Sequence, residues 1–98
     1  MYLGVLQFSM AIPHALSLKD KRSVVRALKD RLRNKFNLAI AEVADLDEWT
    51  YATFGAATVG NDIPRINSVL DKVVDMLETW PDATLDDHQI EIIRGDGD

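Results

Sequence analysis

The spacing of apolar residues along this chain switches repeatedly between two and three-to-four, and the order of the switches leaves few folds open. Met1 to Ile12 carries Tyr2, Leu6, Phe8, Met10 and Ile12 at period two, the pattern of a half-buried strand. Leu3 and Val5 make its opposite face apolar as well, which marks a central strand. Pro13 stops it, because proline cannot donate to a sheet ladder. Val24, Val25, Leu28, Leu32 and Phe36 then recur at helical spacing and face a core. Ser17 opens that helix, its hydroxyl placed to accept from the backbone N–H of Asp20 while the Asp20 carboxylate reaches back; Asn37 marks the end.

Leu38 to Ala44 reads as a second strand, followed by the acidic turn Asp45-Leu46-Asp47-Glu48. A third strand from Trp49 to Val59 mixes aromatic and β-branched residues with Ala and Gly. Asn61 or Asp62 caps a second helix, with Pro64 tolerated in its first turn. Ile66, Leu70, Val73, Leu77 and Trp80 form its inward stripe, Pro81 ends it, and a last strand covers Leu85 to Ile93.

The order is β-α-β-β-α-β. Two β-α-β halves with right-handed crossovers put both helices on one face of a four-stranded antiparallel sheet, so the expected fold is a ferredoxin-like α+β sandwich. At 98 residues, such a chain buries about 60–65% of its unfolded surface and holds one core. The expected organisation is a single domain over 1–93 and a flexible polar tail over 94–98. With both helices on one side, the other sheet face is left partly apolar by Leu3, Val5 and the Ala-rich strands. That predicts a homodimer or higher homo-oligomer ahead of a surface for a different partner.

The net charge of −5 argues against a dedicated nucleic-acid binder until it is resolved along the chain. Residues 1–18 carry no charged side chain. Residues 19–35 carry eight bases against Asp20 and Asp30, a net of +6, and residues 36–98 carry three bases against fourteen acids, a net of −11. At 100° per residue, Arg22, Arg26, Lys29 and Arg33 fall within about 60° of one another, a cationic ridge beside the apolar stripe. Lys19 and Lys21 stand in the first turn, where the helix dipole disfavours cations by roughly 0.3–1 kcal/mol each. Such runs are ordinarily solvated faces. Here Lys19, Lys21, Arg22, Arg26, Lys29 and Arg33 are the candidate residues for an anionic partner, with a solvated or intersubunit face as the competing reading.

Other chemistries have weaker support. The RNA recognition motif shares this element order but needs a basic, aromatic octamer on its third strand; Trp49 to Ala56 contains no basic residue. Asp45, Asp47 and Glu48 lack the glycine and spacing of a calcium loop. Asp86 and His88 could share a strand face, but two ligands make no metal site. His14 occupies a good catalytic address between first strand and first helix, with no nucleophile or carboxylate partner legible beside it. The glycine-rich, arginine-bearing loop of acylphosphatases is absent from Pro13-His14-Ala15-Leu16. There is no cysteine for disulfides or thiol chemistry, no apolar run approaching the roughly 18 residues of a membrane span, and no basic region typical of a signal peptide. A cytoplasmic protein without cofactor or metal is expected.

Ile12-Pro13, then Ser17-Leu18-Lys19-Asp20-Lys21-Arg22, then Arg31-Leu32-Arg33-Asn34-Lys35-Phe36-Asn37 running on through Val43, an acid shortly before Trp49, and Asn61-Asp62 resemble, in order and spacing, the YlxP-like family, number 503 among domains of unknown function. The resemblance spans nearly the whole chain. It implies a ferredoxin-like fold and no established activity. The family's genes often lie beside those for translation initiation and ribosome maturation factors, which implies a ribosome-linked role. Its basic motif maps onto Lys19, Lys21, Arg22, Arg31, Arg33 and Lys35, while this chain departs in being acidic elsewhere. The resulting expectations are ordered. First comes a non-enzymatic module that docks its basic helix on structured RNA such as a ribosomal subunit, with DNA not expected. A homo-oligomeric protein-interaction domain with an acidic protein partner is the alternative. A small-ligand sensor or enzyme using the His14 loop comes third.

Overall fold

A computed structural model describes residues 1–95. Its elements are β1 (Tyr2–Ala11), α1 (Leu18–Lys35), β2 (Ala39–Ala44), β3 (Tyr51–Gly60), α2 (Ile63–Glu78) and β4 (Thr84–Arg94). The four strands form one antiparallel sheet in the order β2-β3-β1-β4, so β1 is central. α1 lies over β2, and α2 lies over β1, β3 and β4. This is the ferredoxin-like α+β arrangement.

The period-two pattern explains the packing. Leu6, Phe8 and Met10 of β1, with Ala52, Phe54 and Ala56 of β3, point toward the helices and are buried. Phe8 and Phe54 are direct cross-strand partners and stack with ring centroids 4.9 Å apart. Val25, Leu28 and Leu32 of α1 and Ile66, Leu70, Val73 and Leu77 of α2 close the core from above. Gly4 allows α2 to sit down on β1: a Cβ there would overlap Ile66 Cγ2 and lie 3.1 Å from Leu70 Cδ1.

Several boundaries differ from the sequence pattern. β3 begins at Tyr51, so Trp49 lies in the preceding loop. α1 ends at Lys35 because Phe36 turns extended (φ −124°, ψ 147°), its N–H still bonded to Leu32 O at 2.8 Å; the exit needs no left-handed residue at Asn37. Trp80 lies beyond the end of α2, half-buried against the core. β4 runs on through Arg94, paired with Tyr2, and the Gly95 N–H donates to Met1 O at 3.1 Å. The rest of the expected tail, 96–98, lies outside the described residues. Among the described residues no helix is long and apolar enough to cross a membrane.

The face away from the helices is built from Leu3 and Val5, the small residues Ala39, Ala41, Gly55 and Ala57, and the exposed Val43, Val59 and Ile93. At its loop end it becomes polar. Ser9 Oγ lies 3.1 Å from Thr53 Oγ1, and the Tyr51 hydroxyl donates to Asp86 Oδ2 at 2.6 Å. That last bond exists because an irregularity opposite Ser9 and Met10 interrupts β4 at Asp86.

Candidate anionic-partner interface on α1

The entry of α1 follows its sequence. Ser17 is the cap, extended at φ −160°, and its Oγ accepts from the Asp20 N–H at 3.1 Å. Asp20 Oδ2 accepts in turn from the Leu16 N–H at 3.0 Å, so two otherwise orphaned donors are satisfied reciprocally. At the other end, Arg33 and Lys35 in the last turn suit the negative pole of the helix dipole.

The cations that the sequence groups together separate into distinct environments. Arg22 and Arg26 are exposed and Lys29 is half-buried, on a flank of α1 next to its buried stripe. Lys19 is exposed in the first turn. Among the described residues no carboxylate lies within 4.0 Å of these four side chains. Arg33 stands on the same flank but is tethered: its Nη2 donates to Ile40 O of β2 at 2.9 Å, and Nη1 is 3.9 Å from Asp30 Oδ1. The eleven residue steps from Arg22 to Arg33 span roughly 16 Å. Arg31 and Lys35 point elsewhere, Arg31 5.5 Å from the centre of the Trp80 ring and Lys35 6.0 Å from that of Phe36.

Lys21 is the correction. Expected among the anion-binding residues, it is 1% exposed and cannot meet a partner. Its Nζ lies 2.9 Å from Glu42 Oε2 and donates to Asp45 O at 2.6 Å, with Leu46 O at 3.5 Å. The physical reason is register. Lys21, Val25, Leu28 and Leu32 stand at i, i+4, i+7 and i+11, so Lys21 is the first position of the buried stripe, one residue behind the ridge of Arg22, Arg26, Lys29 and Arg33. Glu42 has the matching inward parity on β2, two residues after buried Ile40 and opposite Phe54. Those two facts were the available signal.

The acidic turn after β2 serves this contact with its backbone. Asp45 adopts φ 60°, a left-handed conformation that Asp tolerates, and its carbonyl accepts from both Lys21 Nζ and the Glu48 N–H. Its carboxylate is held from the other side by the Thr53 hydroxyl at 2.7 Å. A polar chain therefore links buried Lys21 through Asp45 and Thr53 to Ser9 on the open sheet face. This polar chain as a whole was not legible as a site in the sequence, since it joins residues 9, 21, 45 and 53.

The remaining candidates separate. His14 borders a shallow depression with Asp20 and Asp82, but the Asp20 carboxylate is engaged by the Leu16 N–H. His88 is opposite Phe8, on the helix side of the exposed edge strand, while Asp86 is bonded to Tyr51 on the open face, so the two do not share a face. The hydrogen bond to Asp86 raises the Tyr51 phenol above its ordinary value near 10.

The family model described as "Protein of unknown function (DUF503)" matches residues 3–90. The chain is also similar to the uncharacterized protein YlxP of Bacillus subtilis (strain 168), 31% identical over 80 residues, which are 82% of this chain and 87% of that one. The match takes in β1, α1 with its cap and basic flank, both middle strands, α2 and β4 as far as Ile90, so the chain belongs to the DUF503 family.

Proposed function

We propose that the protein is a non-enzymatic binding module of the cytoplasm that docks the outer flank of α1 on structured RNA, with a ribosomal subunit as the partner. One observation carries the reading: Lys19, Arg22, Arg26 and Lys29 stand unpaired, among the described residues, along one flank of a helix in a body whose residues 36–98 sum to −11. Contacts of this kind position a protein on phosphates and read duplex shape without a sequence code. The acidic remainder of the chain repels a polyanion and so favours an approach through the basic helix. The ribosome enters through the gene neighbourhood that the family resemblance implies.

Co-sedimentation with ribosomal subunits across a salt series tests this. Four phosphate contacts give a slope of log K against log salt between about −2.8 and −3.6. Arg22→Glu/Arg26→Glu is expected to lower affinity at least about tenfold, and wild-type affinity in that variant refutes the reading. A second reading, a homo-oligomeric interaction domain, is supported by Val43, Val59 and Ile93 standing exposed on the open face.

A further inference from the structure

At the end of the sheet remote from the acidic turn, the chain leaves α1 through Phe36 and enters α2 after Gly60. These segments enclose an open cleft of about 300 Å³. That is the small end of the range for ligand sites, enough for one ring system with a sugar and not for a stacked pair. Its floor is apolar, made by Phe36, Ile66 and Val69. Two exposed cations from different helices, Lys35 and Arg65, also line the cleft. Asp62 is the acid that lines it, and its Oδ2 is already engaged, accepting the Arg65 N–H at 3.1 Å as the cap of α2. Asn37 and Asn61 border the cleft with side-chain amides that make no hydrogen bond among the described residues. Each offers donors and an acceptor to a ligand edge.

An inorganic anion would use the cations and leave the apolar floor wet. A purely apolar ligand would leave the two cations without a counter-charge. A planar heterocycle carrying a phosphate uses everything present. Its ring lies on Phe36, its edges reach the Asn37 and Asn61 amides, and its phosphate sits with Lys35, whose ammonium is 6.0 Å from the Phe36 ring centre, and with Arg65. We propose that this cleft is a nucleotide site taking one nucleoside 5′-monophosphate unit. The unit arrives either as a free mononucleotide or as one unstacked residue of an RNA strand. The site goes beyond the α1 flank and does not depend on it, since Arg22 and Arg26 do not line the cleft.

The test is an amide-resolved NMR titration of the full chain with the four ribonucleoside 5′-monophosphates, with unphosphorylated nucleosides and inorganic phosphate in parallel. At least one monophosphate is expected to give saturable shifts confined to Asn37, Gly60, Asn61 and Arg65, at least about tenfold tighter than its nucleoside or phosphate alone. Lys35→Ala and Arg65→Ala, both at exposed positions, are each expected to weaken it by a similar factor. No saturable shift, equal binding of inorganic phosphate, or undiminished binding in both variants overturns the proposal. A short single-stranded oligoribonucleotide separates the sources. Tighter binding with shifts spreading along α1 assigns the unit to an RNA strand, and binding no tighter than the monomer assigns it to the free nucleotide. Ribosome co-sedimentation reads the α1 flank separately, so the two proposals fail independently.

Discussion

Replacing Lys21 by methionine keeps most of the side-chain volume and removes the ammonium, which isolates what that buried charge contributes. Lys21 is 1% exposed and the Glu42 side chain 16%, with 2.9 Å between their charged atoms. Removing one partner of a buried pair costs about 3–5 kcal/mol when the other is left without solvent. Glu42 retains some access to water and Asp45 lies at the surface, so the expected loss is lower, about 2–3 kcal/mol. For a domain of this size, that is a fall in Tm of roughly 10–20 °C. Urea unfolding followed by circular dichroism measures it, with Glu42→Gln and the double variant completing a cycle. A coupling of about 1.5–3 kcal/mol is expected, against a change within about 0.5 kcal/mol for Arg22→Met on the exposed flank. An unchanged midpoint in Lys21→Met, or lost ribosome binding with stability intact, refutes the assignment of Lys21 to the core. Either result returns it to the interface.

Gly4→Ala is expected to cost about 1–3 kcal/mol in the same assay, because the new methyl overlaps Ile66 at its rigid branch point and α2 must lift from β1. Tyr51 should ionise later than a free phenol. Its folded value is raised by the bond to Asp86, so the associated stability is present below about pH 10 and lost as pH rises through the folded value. Absorbance titration of Asp86→Asn should bring that midpoint down toward the ordinary one. If the open sheet face is covered by a second copy, light scattering at high concentration gives a multimer that Val43→Asp/Val59→Asp converts to monomer; a monomer in the parent protein counts against that reading.

The element order, the fold, the Ser17 cap, the second cap to within Asn61 or Asp62, the central place of β1 and the separation of +6 from −11 were all legible in the chain. Each depends on neighbours within a few residues or on a period that local geometry dictates. Strand ends were legible only to within a residue or two, since β3 begins at Tyr51 where pairing with Ala11 starts, and pairing is a property of two segments. What tertiary structure decided was which cations are available. Lys21 and Arg22 are adjacent and chemically alike in the sequence, yet the helical rotation of one residue turns Lys21 under α1, where Glu42 and the Asp45 carbonyl arrive from β2 and its turn. The cleft beside Phe36 likewise brings together Lys35 and Arg65 from two helices. Local sequence sets the direction in which a side chain leaves its own helix; only the packing of separate elements determines whether it meets solvent, a carboxylate or a cavity.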